Sequence, residues 1–128
     1  MKDLIIIGVH AKRIFIPSVK FIASSGKCSI SGESYLEDTI SFYDPLIKWV
    51  EMYCEKVKKP IALSIKLSYF DTSSSKSILN LLYVLKMYKE NGGQYIIKWY
   101  HKAYDDDMAE DIEDCRRDTG IEINRIPL

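Results

Sequence analysis

Between Ile61 and Asn91 the hydrophobic period of this chain changes from two residues to between three and four, within a few positions. Ile61-Ala62-Leu63-Ser64-Ile65-Lys66-Leu67-Ser68-Tyr69 alternates apolar with polar, the pattern of a half-buried strand. Ile78, Leu82, Leu85 and Tyr88 then recur at helical spacing until Asn91-Gly92-Gly93 stops the run. Gln94-Tyr95-Ile96-Ile97-Lys98-Trp99-Tyr100 follows, rich in the β-branched and aromatic residues that strands favour. Two strands joined through a helix pair in parallel, so this stretch alone confines the chain to an α/β fold.

The junction itself, Phe70-Asp71-Thr72-Ser73-Ser74-Ser75-Lys76, places four consecutive hydroxyls where the strand becomes the helix. A hydroxyl here meets backbone N–H groups with no helical partner and the positive end of the helix dipole. It can cap the helix, so Thr72 or Ser73 is an N-cap candidate. The same groups would stabilise a phosphate, so a phosphoacceptor is the alternative reading.

The remaining elements fit the same class. Leu4-Ile5-Ile6-Ile7-Gly8-Val9 is too short to span a bilayer and lacks a signal-peptide cleavage pattern; it reads as a strand or ordered arm. Val19 and Phe21 share one face before the turn Ser24-Ser25-Gly26-Lys27, and Cys28-Ser29-Ile30-Ser31-Gly32 alternates again, giving an antiparallel hairpin. Asp44-Pro45 is an attractive N-cap and first-position pair for a helix carrying Leu46, Ile47, Val50, Tyr53, Cys54 and Val57; Ile40 and Tyr43 could extend it backwards across Pro45. Lys58-Lys59-Pro60 ends it. Asp105 to Asp118 is helical, with acids at its start and Arg116-Arg117 near its end, and Ile121 to Ile126 alternates as a last strand. The expected product is a single α/β domain over residues 1–128, a mixed sheet packed with helices, with the Ile61–Tyr69 strand central and buried.

Composition removes several function classes. Zero formal charge and the lack of a Lys/Arg run argue against nucleic-acid binding, which depends on clustered positive charge. Cys28, Cys54 and Cys115 are odd in number and widely separated, so neither a disulfide framework nor a zinc site is expected; buried thiols in a reducing cytoplasm fit. His10 and His101 stand in no catalytic motif and read as exposed or capping residues. Asp105-Asp106-Asp107 with Glu110 and Asp111 lacks the spacing of a calcium loop and suits a first helical turn without metal. No catalytic residue, metal or cofactor is expected. Among the aromatics, Trp49 and Trp99 read as core, whereas Tyr35, Phe42, Tyr43 and Tyr69 are divided between core and interface.

Ser31-Gly32-Glu33-Ser34-Tyr35-Leu36-Glu37, the Phe42-Tyr43-x-Pro45-Leu46-x-x-Trp49 helix start, Tyr69 to Lys76, and Trp99-Tyr100 with its Asp-rich sequel together resemble the SiaC family, from about Pro17 onward. These are bacterial regulatory phosphoproteins with a fold like that of STAS-type anti-sigma-factor antagonists. The resemblance implies a switch protein without catalytic activity. A threonine in the strand-to-helix motif is phosphorylated by a dedicated kinase and dephosphorylated by a PP2C-type phosphatase, and the unphosphorylated form binds and activates a diguanylate cyclase. Carried onto this sequence, the phosphoacceptor is Thr72, with Asp71, Ser73 and Ser74 beside it and Tyr35 and Glu37 flanking the same surface. Leu36 stands where the family usually has proline. The alternative from the same likeness is a STAS-like antagonist that sequesters an anti-sigma kinase; Ser34-Tyr35-x-Glu37 favours the first reading.

Overall fold

The computed structural model describes all 128 residues. In chain order the elements are β1 (Leu4–Ile6), β2 (Val9–His10), β3 (Phe15–Ile16), β4 (Ser18–Ile22), β5 (Lys27–Ser34), α1 (Thr39–Met52), β6 (Ile61–Phe70), α2 (Thr72–Glu90), β7 (Tyr95–His101), α3 (Asp106–Thr119) and β8 (Asn124–Pro127). A six-stranded sheet has the order β1-β4-β5-β6-β7-β8, and β2 and β3 form a separate two-stranded ribbon. The pairs β1–β4 and β4–β5 are antiparallel, whereas β5–β6, β6–β7 and β7–β8 are parallel. This is the mixed α/β sheet expected, with the Ile61 strand at an inner position.

Strand order explains where the helices go. From β5 to β8 every crossover steps the same way, and crossovers of one hand that do not reverse put their helices on one face. The residue pattern agrees. Val19, Ile30, Ile65 and Trp99 are in register across four strands, as are Phe21, Cys28, Leu63 and Ile97, and all eight are buried. They share one core with Tyr43, Leu46 and Val50 of α1, Ile78, Leu82 and Leu85 of α2, and Met108 and Ile112 of α3. Both tryptophans belong to it, Trp49 stacked on Tyr53 at 5.5 Å between centroids.

Two boundaries differ from expectation. Helix α1 starts at Thr39, not at Asp44-Pro45: Asp38 is its N-cap, accepting the Ser41 N–H at 3.1 Å, and Pro45 lies inside the helix. Burying Tyr43 and Thr39 holds the turn before Pro45 in the helix, at the cost of the hydrogen bond proline cannot donate. The helix ends in a π-helical turn, Tyr53–Val57, closed by Lys58 in the left-handed region at φ 57°. Strand β8 pairs only from Asn124; Ile121 and Ile123 are buried ahead of it. In the β4–β5 turn glycine is required at Gly26, where φ is +72° and a Cβ would lie 2.5 Å from the Pro60 carbonyl oxygen.

Candidate phosphorylation site at the β6–α2 junction

The site is built where β6 loses its alternation. Register with β5 shifts between Gly32 and Glu33: Gly32 pairs with Leu67, but Glu33 pairs with Tyr69, leaving Ser68 as an extra residue in β6. A bulge of this kind reverses which face each later side chain takes. Tyr69, which strict alternation would bury, is therefore 47 % exposed, and Phe70 turns inward, 5.9 Å from the Trp99 ring. The Asp71 N–H then bonds the Ser34 carbonyl at 3.2 Å, ending the strand against β5.

Asp71, not Thr72 or Ser73, is the N-cap of α2; its carboxylate accepts the Ser74 N–H at 2.9 Å. Partial burial pushes the Asp71 carboxyl up, but hydrogen bonds from Ser74 and Ser73 outweigh it and hold the group below its ordinary range. The aspartate's charge at this cap also meets the positive end of the helix dipole. Thr72 is the first helical residue.

The four hydroxyls then fall into different environments. Ser74 is fully buried: its Oγ accepts from Ser34 Oγ at 2.8 Å and donates to the Ser34 carbonyl at 3.3 Å. Because the Ser34 proton is used there, the 2.7 Å contact between Tyr43 Oη and Ser34 Oγ has tyrosine as donor. Ser73 Oγ donates to Asp71 at 3.2 Å, which leaves it to accept from Thr39 Oγ1 at 2.9 Å. Through these bonds α1 and β5 hold the first turn of α2 in place. Thr72 and Ser75 are exposed, and their hydroxyls make no hydrogen bond. The Ser75 N–H is spent on the Asp71 carbonyl at 2.9 Å, so the free N–H groups at this helix end are those of Thr72 and Ser73.

Around Thr72 the surface has two parts. On one side Tyr35 (44 % exposed) and Tyr69 meet edge-on at 6.3 Å; Phe15 packs on Tyr35, and His10 stacks on Phe15 at 4.4 Å. Sequence reasoning found the two tyrosines but missed His10 and Phe15, because the two-residue strands that present them are too short to show a period. Of the four aromatics left open, Tyr43 is core, Phe42 packs partly buried against the core, and Tyr35 and Tyr69 are surface. Glu37 is exposed in the link between Tyr35 and the Asp38 cap. On the other side a groove of about 400 Å³ runs between α2 and α3, lined by Thr72, Ser75, Trp99, Asp111 and Asp114 among others. Burial, and after it the charges of Asp114, Asp107 and Asp105, push the Asp111 carboxyl up, so negative charge is already crowded there.

His101 departs from expectation. It is 5 % exposed rather than at the surface; Arg125 donates to its Nε2 at 2.9 Å, so Nδ1 carries the proton that goes to the Lys102 carbonyl at 2.8 Å. Asp105 caps α3 through the Met108 N–H, and Asp106 and Asp107 sit in its first turn. The three cysteines are free thiols, but only Cys28 is buried as expected, Cys54 and Cys115 being half-buried at the margin of the core; burial pushes Cys28 up to about 12 and Cys54 up to about 11, which makes both poor nucleophiles. No helix is long and apolar enough to cross a membrane.

Comparison with known proteins agrees with this architecture. The crystal structure of apo-SiaC from Pseudomonas aeruginosa superimposes with a TM-score of 0.85 at 25% identity, covering 98% of this chain and 99% of that one. A SiaC of the same organism, solved in complex with the diguanylate cyclase SiaD that it activates, matches with a TM-score of 0.85 at 23% identity over 95% of this chain and 99% of that one. An uncharacterized protein of Pseudomonas aeruginosa strain UCBPP-PA14 is 28% identical over 121 residues, 94% of this chain and 93% of its own length. The profile of the SiaC family of regulatory phosphoproteins matches residues 10–128, and the chain belongs to that family.

Proposed function

We propose that this protein is a non-catalytic cytoplasmic switch whose phosphoacceptor is Thr72 and whose unphosphorylated form binds and activates a diguanylate cyclase. A dedicated kinase adds the phosphate and a PP2C-type phosphatase removes it. The observation that carries this reading is the sorting of the hydroxyls. Ser73 and Ser74 are already bonded, Ser75 has its N–H committed, and Thr72 alone combines an exposed, unbonded hydroxyl with free N–H groups beside it. The family and the activator role of its relative in complex with SiaD supply the output.

Electrostatics gives the direction of the switch. Phosphate adds about −1.5 to −2 charges at neutral pH. Its own helix end stabilises it, so the fold changes little. A partner packed over Tyr35, Tyr69 and Thr72 must desolvate it, and by excluding water strengthens its repulsion with Asp71, Glu37 and the acidic groove. A loss of about 1–3 kcal/mol there weakens binding roughly 5- to 150-fold. Titration of the cyclase with phosphorylated and unphosphorylated protein tests this, with mass spectrometry locating the phosphate. Thr72→Ala should bind yet resist switching, and Thr72→Glu should imitate the phosphate only in part. Equal affinities of the two forms, or modification of Ser73, Ser74 or Ser75 with Thr72 untouched, would refute the assignment.

A further inference from the structure

We propose that the helix-free face of the sheet is a second docking surface, separate from the Thr72 rim, and that it takes an amphipathic helix with acidic flanks from a partner protein. All three helices share the core on one side, so the opposite face of β4, β5, β6 and β7 lies open. That is unusual for parallel strands, which are ordinarily covered on both faces.

Register reveals what the open face carries. One row reads Lys20, Ser29, Ser64, Lys98 across four strands, and the next reads Ile22, Lys27, Ala62, Ile96. Lys66 follows above them, 4.6 Å from the Tyr100 ring. These residues are far apart in sequence, which is why no basic run is visible in it. None of the four lysines takes part in an ion pair. The carboxylates at the margins are engaged elsewhere: Glu33 faces His10 at 3.7 Å, and Asp3 accepts the Ala23 N–H at 2.9 Å.

The relief of this face suits a helix. Small side chains on β5 and β6 (Ser29, Ala62, Ser64), with Lys27 of β5 beside them, form the floor of a depression of about 390 Å³, and Lys20, Ile22, Ile96 and Lys98 on the outer strands form its walls. Those walls stand three strand spacings apart, about 14 Å, and a helix with its side chains is about 10–12 Å across. The apolar face of the helix would rest on Ala62 and lean on Ile22 and Ile96 at the walls, and glutamates or aspartates on both flanks would meet Lys20 and Lys98, with Lys27 beneath. The apolar content of the depression favours a protein helix over a nucleic-acid backbone, which would use the charge and leave Ile22 and Ile96 uncovered.

Fluorescence anisotropy with the unphosphorylated protein alone tests the surface. The probe is a stapled helical peptide with leucine and alanine on one face and glutamate along both flanks; controls are the same helix with lysine flanks and a single-stranded DNA. The acidic helix should bind, and Lys20→Glu/Lys98→Glu should weaken it by roughly tenfold or more, since two attractive pairs become repulsive. Lys20→Gln/Lys98→Gln, which only neutralises, should lose less. Both variants alter exposed side chains, and circular dichroism checks their fold. Absence of binding, equal binding of the lysine-flanked helix, tighter binding of the DNA, or equal losses in the two variants would each overturn the proposal.

Discussion

Removing the Ser74 hydroxyl should cost more stability than removing the Tyr43 hydroxyl, although tyrosine is the larger and equally buried residue. The three buried hydroxyls form a directed chain: Tyr43 donates to Ser34, Ser34 to Ser74, and Ser74 to the Ser34 carbonyl. Three protons have three acceptors. Tyr43→Phe removes the head of the chain, and the two remaining protons keep their acceptors; the loss is one net hydrogen bond, about 1 kcal/mol. Ser74→Ala removes the tail acceptor. Ser34 and Tyr43 then share one contact with two protons, so one buried donor has nowhere to go, at a cost of about 1–3 kcal/mol. With roughly 3–5 °C per kcal/mol for a chain of this size, Ser74→Ala at the middle of that range, about 2 kcal/mol, should melt about 6–10 °C below wild type and Tyr43→Phe about 3–5 °C below. Urea titration followed by far-ultraviolet circular dichroism gives the free energies directly, with an unchanged m-value as the control for two-state unfolding. Ser34→Ala/Tyr43→Phe/Ser74→Ala, which removes donors and acceptors together and leaves no buried donor unpaired, should cost less than the sum of the three single losses. If Tyr43→Phe proves as costly as Ser74→Ala, the directed chain is wrong.

Three further outcomes are expected from stability measurements. Asp71→Ala should cost about 1 kcal/mol through loss of the α2 cap. Because the Asp71 carboxyl is held below its ordinary value, its contribution is present above about pH 4 and is lost as pH falls further; Asp71→Asn, which still caps, should lack that part of the acid limb in a pH series. Burial pushes Tyr43 and Cys28 both up to about 12, so the fold should hold its stability below about pH 9 and lose it as pH rises toward 12; Cys28→Ala should flatten the start of that alkaline limb. Lys58→Gly should stabilise by about 0.5–1 kcal/mol, since a lysine holds the left-handed conformation at the end of the π-helical turn, and a failure to raise the melting temperature would show that the Lys58 side chain compensates.

Much of the fold is legible in the sequence because its signals are long and regular. The strand at 61–69, the helix that follows and the hairpin at 19–32 each carry several turns or alternations of one period. What is illegible is set by register and by competition. Tyr69 stays divided between core and interface in the sequence, because the bulge at Ser68 that turns it outward leaves no mark on composition. Asp44-Pro45 has the chemistry of a helix start, but burial of Tyr43 and Thr39 won against it. Asp71 outcompetes two neighbouring hydroxyls for the cap, a choice between adjacent residues that propensity alone does not make. At the site, the sequence marks Thr72 and its neighbours, while their division into bonded and unbonded hydroxyls depends on Ser34, Thr39 and Tyr43, which arrive from other elements.

The two edges of the sheet also decide how the protein behaves in a crowded solution. An edge strand is a template for further strands, and fibrillar growth begins where such a template is long, flat and apolar. β8 ends in Pro127, which has no N–H to offer a newcomer, and its Arg125 is drawn back against His101 and Glu113. β1 is the exposed flank: Ile5 is 54 % and Ile7 86 % exposed, but the strand is only three residues long, about 10 Å of ladder. Self-association through the edges of this sheet therefore has one short point of entry, and a single charge in place of Ile5 would close it.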